Sequence, residues 1–109
     1  GGHIDLVGGR LEGGGSYAID GGGAYHLRLS QGAVLGGGVQ ALTLSNTPNF
    51  TTAFAICTMA GQADFSGHSF AGAATGRRFD VATQGVIQSG GIVLPGDTAG
   101  SVQSGGIYV

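Results

Sequence analysis

Lysine and tryptophan are missing from this 109-residue chain, cysteine and methionine occur once each, and proline occurs twice. Charge is scarce. The four strong bases, Arg10, Arg28, Arg77 and Arg78, face six acids, for a net charge of −2. Without clustered Lys and Arg there is no electrostatic footprint for nucleic acid, and nothing polybasic to draw the chain to an anionic membrane surface. No apolar run approaches the roughly 18 residues needed to cross a bilayer, so membrane insertion is not expected. The lone Cys57 excludes an internal disulfide. It lies in the apolar run Ala53–Met59 with no histidine near it in sequence, and it reads as a small buried hydrophobe. A chain without disulfides suits assembly in the cytoplasm. The opening Gly1-Gly2-His3 carries no signal-peptide pattern and reads as the start of a cut piece of a longer chain.

Glycine is what the chain has in abundance, 25 residues of it. With few charges and about a quarter of the residues large and apolar, the composition still points to an ordered domain. Each glycine inside a regular element costs roughly 0.5–1 kcal/mol relative to alanine. If half of them sat there, the cost of about 6–12 kcal/mol would rival the net stability of a domain. On that premise burial must come from association, and a homotrimer is the expected form.

The patterning is all-β and fits a single domain, 1–109, read as glycine-punctuated strands over 1–45 and a central strand with a C-terminal repeat over 50–109. Tyr25, Leu27 and Leu29 alternate with His26 and Arg28, predicting a strand with the first set on one face and the second on the other. Residues 50–59 are apolar on both faces and predict a central strand, and Ala71–Ala74 is the one place for a helical turn. Glycine clusters at 8–9, 13–15, 21–23 and 36–38 follow no fixed period. Gln88-Ser89-Gly90-Gly91-Ile92 recurs unchanged as Gln103–Ile107, read as two strand–bulge–strand units. The expected fold is a β-sandwich or an intertwined trimeric β-structure, with a β-solenoid as the alternative.

Little in the chain looks catalytic. Asp97-Thr98-Ala99 is faintly similar to the catalytic loop of aspartic proteases, yet it follows Pro95-Gly96 and reads as a turn. Gly72–Arg78 lacks the Lys and Ser/Thr of a phosphate loop. His3, His26 and His68 are far apart and read as exposed side chains, with His3–Asp5 the only spacing suited to a metal; no metal or cofactor is expected. The densest charge cluster, Arg77, Arg78 and Asp80, is the candidate binding site, because arginine forks suit the carboxylates of acidic polysaccharides. Tyr25 joins it as an aromatic platform. With no tryptophan and only three tyrosines, such a site is weak alone and relies on multivalency.

Residues 75–109 carry a longer pattern: Gly76, Arg78 and Phe79, the pair Val86-Ile87, then Pro95-Gly96, Thr98-Ala99-Gly100, and Gly105-Gly106 before Tyr108. This segment, a third of the chain, resembles the C-terminal parts of bacteriophage tail fibres, tail spikes and head fibres, with Phe79 where tyrosine is usual. The resemblance implies a trimeric virion protein assembled in the host cytoplasm, contacting other virion proteins and attaching to host-surface polysaccharide. It implies no catalytic residues, and the chain is read as not an enzyme. A capsid decoration protein without a receptor, or the non-catalytic end of a polysaccharide depolymerase, are the other readings.

Overall fold

The computed structural model describes residues 4–11, 15–36 and 38–109. The chain winds around one axis as a β-solenoid of about four turns. The first rung holds β1 (Ile4–Val7), β2 (Arg10–Leu11) and β3 (Gly15–Asp20). The second holds β4 (Leu27–Ser30), β5 (Val34–Leu35), β6 (Gln40–Ser45) and β7 (Asn49–Phe50). The third repeats it with β8 (Ala55–Cys57), β9 (Gln62–Asp64), β10 (His68–Ala71) and β11 (Thr75–Gly76). Then follow β12 (Phe79–Val81) and β13 (Val86–Gln88), and finally β14 (Ser101–Val102) and β15 (Ile107–Tyr108). Every strand pairs in parallel with its counterpart in the neighbouring rung.

Three faces result. The first is β1-β4-β8-β12-β14, the second β2-β5-β9-β13-β15, and the third β3-β6-β10. A short corner ladder, β7-β11, closes the circuit. The all-β expectation is met, and the solenoid rather than the sandwich is the form it takes. Both predicted segments belong to this one stack.

Why the period escapes the sequence is visible in the registers. Ala55 stands 28 residues after its partner Leu27, Phe79 stands 24 after Ala55, and Ser101 stands 21 after Asp80. Parallel pairing needs the strands in line and leaves the corners between them free to vary in length.

Inward columns make the core. Leu29, Cys57 and Val81 stack on the first face; Leu35, Ala63 and Ile87 stack on the second; Leu42 and Leu44 line the third. Phe54 is fully buried at the centre and meets Phe50 and Phe70 edge-on, with centroids 5.5 Å away in each case. In the fourth rung no third-face strand is formed. The loop 89–100 crosses there instead and buries Leu94.

The corner between the first and second faces repeats in the four later rungs. Gln31-Gly32, Met59-Ala60, Thr83-Gln84 and Ser104-Gly105 each place two residues at positive φ. In each, the following amide closes the turn onto the residue before it, as in Gly61 N–H to the Thr58 carbonyl at 2.9 Å. Positive φ at both central residues, closed by that bond, is the backbone of a type I′ turn.

Several expectations are corrected. Residues 50–59 form no single strand: β7 ends at Phe50, and a corner at Thr51–Phe54 precedes β8. The amides of Thr52 and Ala53 there both bond the Ala24 carbonyl, which breaks the alternation. His26 faces inward, only 7% exposed, because the amides of His26 and Leu27 share the Phe54 carbonyl and the regular alternation of β4 begins only at Leu27. His68 is buried as well, while His3 lies outside the described residues. Ala71–Ala74 forms the end of β10 and a bend, not a helical turn. The repeated Gln-Ser-Gly-Gly-Ile makes turns, not bulges, and its copies sit on different corners. In the first copy Gly90 and Gly91 hold the positive φ; in the second Ser104 and Gly105 do, one residue earlier in the motif.

The premise for association also changes. Among the described residues only Gly15 and Gly76 fall inside strands, so the glycines cost far less than supposed. The accessible surface of 5100 Å² is near the roughly 5500 Å² expected of a compact chain of this mass.

Candidate functional site

A solenoid fills its interior with packing, so groups available to a partner project from the outer columns. On the first face, register places Asp5, Arg28, Ile56, Asp80 and Ser101 in one such column. Its upper end is a cluster. The Arg28 guanidinium forks onto Asp5, with Nη2 at 2.6 Å from Oδ2 and Nε at 3.2 Å from Oδ1. The Tyr25 ring lies 4.8 Å from the Arg28 Cζ, and its hydroxyl donates to Asp5 Oδ2 at 3.4 Å. The bond to Asp5 raises the Arg28 pKa further above its ordinary value.

The pair adds little to stability. Arg28 and Asp5 side chains remain 44% and 31% exposed, a setting in which ion pairs contribute roughly 0.2–1 kcal/mol. What it does is hold an aromatic ring, a charged fork and a carboxylate in fixed geometry on a rigid sheet. That combination can stack against an apolar ring face while exchanging hydrogen bonds with its substituents.

The four predicted residues divide. Tyr25 belongs to this cluster. Asp80 is half-buried in the same column, separated from Arg28 by Ile56, a distance of two strand spacings or roughly 10 Å. Arg77 and Arg78 occupy the adjoining corner instead. Arg77 bridges to Thr98, and its carbonyl accepts the Phe54 amide at 2.9 Å. The Arg78 amide donates to the Thr98 carbonyl at 3.0 Å, and its Nε is buried. Sequence reasoning missed Asp5 and Arg28, because they are 23 residues apart and only the parallel register joins them. The alternation of Arg28 against Leu27 and Leu29 was the available signal.

The Asp97 loop explains itself. Asp97 Oδ1 accepts the Gly76 amide at 2.8 Å and the Thr98 hydroxyl at 3.2 Å. The Gly76 carbonyl in turn accepts the amides of Asp97 and Thr98, each at 3.0 Å. These bonds, that from Gly76 first, hold the Asp97 carboxyl below its ordinary value. The carboxylate fastens a corner.

Much of the segment 75–109 pattern is likewise structural. Phe79 stacks on Tyr108 with centroids 3.8 Å apart, and Gly100 lies against the Phe79 ring, 2.1 Å from where a Cβ would stand. Cys57 is fully buried, and loss of solvent pushes its thiol pKa up to about 12, as a packed hydrophobe should behave. Among the described residues no group of three or more His, Cys, Asp or Glu could hold a metal. The chain matches no family model, no curated protein and no solved structure.

Proposed function

We propose that this chain is a non-catalytic structural module of a virion fibre or spike, which presents its first face to an acidic surface polysaccharide. The observation that supports this reading most is the Tyr25–Arg28–Asp5 cluster, fixed on the outside of a sheet whose inside is packed core. Tyr25 supplies a face for a sugar ring, and Arg28 a planar fork for a carboxylate, which it would take in exchange for Asp5. Asp80, farther down the column, adds an acceptor for sugar hydroxyls.

One such cluster binds weakly. Three copies around a fibre axis would act through effective concentration without any new contact, which is how the trimer implied by the resemblance of residues 75–109 enters this reading. The virion location rests on that resemblance alone.

The test is titration of the intact chain with carboxylated and neutral polysaccharides of equal length, beside Tyr25→Ala and Arg28→Ala. The reading expects preference for the carboxylated polymer, lost about tenfold or more in either variant while melting is nearly unchanged. Equal binding by the variants, or none by the parent chain, would sink it. Light scattering decides the assembly: a mass near three times 10.6 kDa supports the trimer, and a monomer at working concentration removes it.

A further inference from the structure

Asp5 occupies the fork that the proposed ligand needs. It stands directly beside Arg28 on the neighbouring strand. Three donors reach its carboxylate: Arg28 Nη2 at 2.6 Å, Arg28 Nε at 3.2 Å and the Tyr25 hydroxyl at 3.4 Å. A carboxylate on a sugar ring would use the same three groups. The protein's own side chain holds the place of the ligand's.

The strands do not need this contact to stay together. Backbone pairing joins β1 to β4 over four residues. Beyond it, the Ile4 amide donates to the His26 carbonyl at 2.7 Å, and the Gly8 amide to the Ser30 carbonyl at 2.9 Å. Leu27 and Leu29, buried on the inner side, fix the Arg28 backbone further. Both charged side chains meanwhile remain open to solvent, where an ion pair is weak and parts easily. Arg28 is the one base of its outer column, against the carboxylates of Asp5 and Asp80. While Asp5 fills the fork, that single positive charge is spent within the protein.

On the polysaccharide reading above, we infer that Asp5 is a resident competitor for the ligand's carboxylate: it fills the Arg28 fork in the free protein, yields it on binding, and so sets how densely charged a polymer must be to bind. A lone carboxylate meets a tethered rival. A chain with closely repeated carboxylates keeps one always near the fork, and its effective concentration there holds the fork open.

The intact chain, Asp5→Asn, Arg28→Ala and the double variant are titrated with polygalacturonate at low ionic strength, beside melting curves. The Arg28 Nε–H signal is followed by NMR. Asp5→Asn is expected to bind about two- to fivefold more tightly than the parent, the factor by which an exposed ion pair masks the fork. Melting should hardly change. In the Arg28→Ala background the same substitution should gain nothing, which separates release of the fork from relief of charge repulsion. The parent's Nε–H signal should move with added polymer and approach that of saturated Asp5→Asn, since Asp5 has left the fork in both. If the parent binds and Asp5→Asn binds equally or more weakly, the competitor is overturned, Asp5 only positions Arg28, and the polysaccharide reading stands. A gain that persists without Arg28 overturns it as well. Silence of parent and variant alike overturns that reading and this inference together.

Discussion

The amide of Ala60 donates to the carbonyl of Thr83 at 3.1 Å, and both residues hold positive φ, 62° and 49°. The same contact joins Gly32 to Met59 and Gln84 to Ser104. The turns are therefore rungs of a ladder themselves. Backbone geometry that few side chains adopt is imposed on Met59, Ala60, Thr83 and Gln84 by the turns stacked on either side.

Thr83→Gly should stabilise the fold. A β-branched residue at positive φ costs about 1–2 kcal/mol, and glycine returns part of this through its freer unfolded chain. A net gain of about 0.5–1 kcal/mol is expected, read as a higher urea midpoint at unchanged slope. A lower midpoint would mean that the threonine side chain contributes something the turn geometry does not.

Gly85→Ala should do the reverse. A Cβ there would stand 2.4 Å from the Cys57 carbonyl oxygen in the rung above. Backbone has to move, at a cost of about 2–3 kcal/mol. Gly105→Ala offers a contrast, since its φ is +79° but no neighbour lies closer than 3.7 Å, and about 1 kcal/mol is expected from conformation alone. Denaturation of the two variants side by side separates crowding from torsion.

This corner shows what was legible in the chain and what was not. Leu27-Arg28-Leu29 announced its strand through alternation, while the turn at Gln31-Gly32 went unread between the glycine clusters. Met59-Ala60 and Thr83-Gln84 carry no turn chemistry at all, because their conformation comes from neighbouring rungs. Asp5 and Arg28 illustrate the same limit for the candidate site: each was readable as an outward polar position, but their meeting depends on a register that corners of unequal length conceal. The inward turn of His26 was hidden for a local reason, the sharing of the Phe54 carbonyl by two successive amides.

Cys57 should resist thiol reagents in the native state and react on unfolding. Its folded pKa of about 12 lies above the ordinary value of 9.0. The neutral thiol is therefore favoured in the fold, and the associated stability is whole below pH 9 and lost as pH rises from there toward 12. Cys57→Ala should flatten that alkaline decline. Rapid labelling of the folded protein would contradict the burial.

Asp97→Asn should change the acid side. The folded carboxyl titrates below its ordinary value of 3.8, so its contribution is present above that value and lost as pH falls through the folded pKa. Asparagine can still accept the Gly76 amide, and the variant should lose less stability between pH 7 and pH 3 than the parent. Parallel declines in the two proteins would show that other carboxylates govern acid unfolding.

Because each rung bonds only to the one before and the one after, tension applied to the two chain ends meets the ladder a row at a time. A rung such as that from Ala55 to Phe79 spans 24 residues and would pay out roughly 80 Å of extended chain when it peels away. Under load such a module lengthens in steps and keeps its remaining rungs folded, and so absorbs a pull without parting at once.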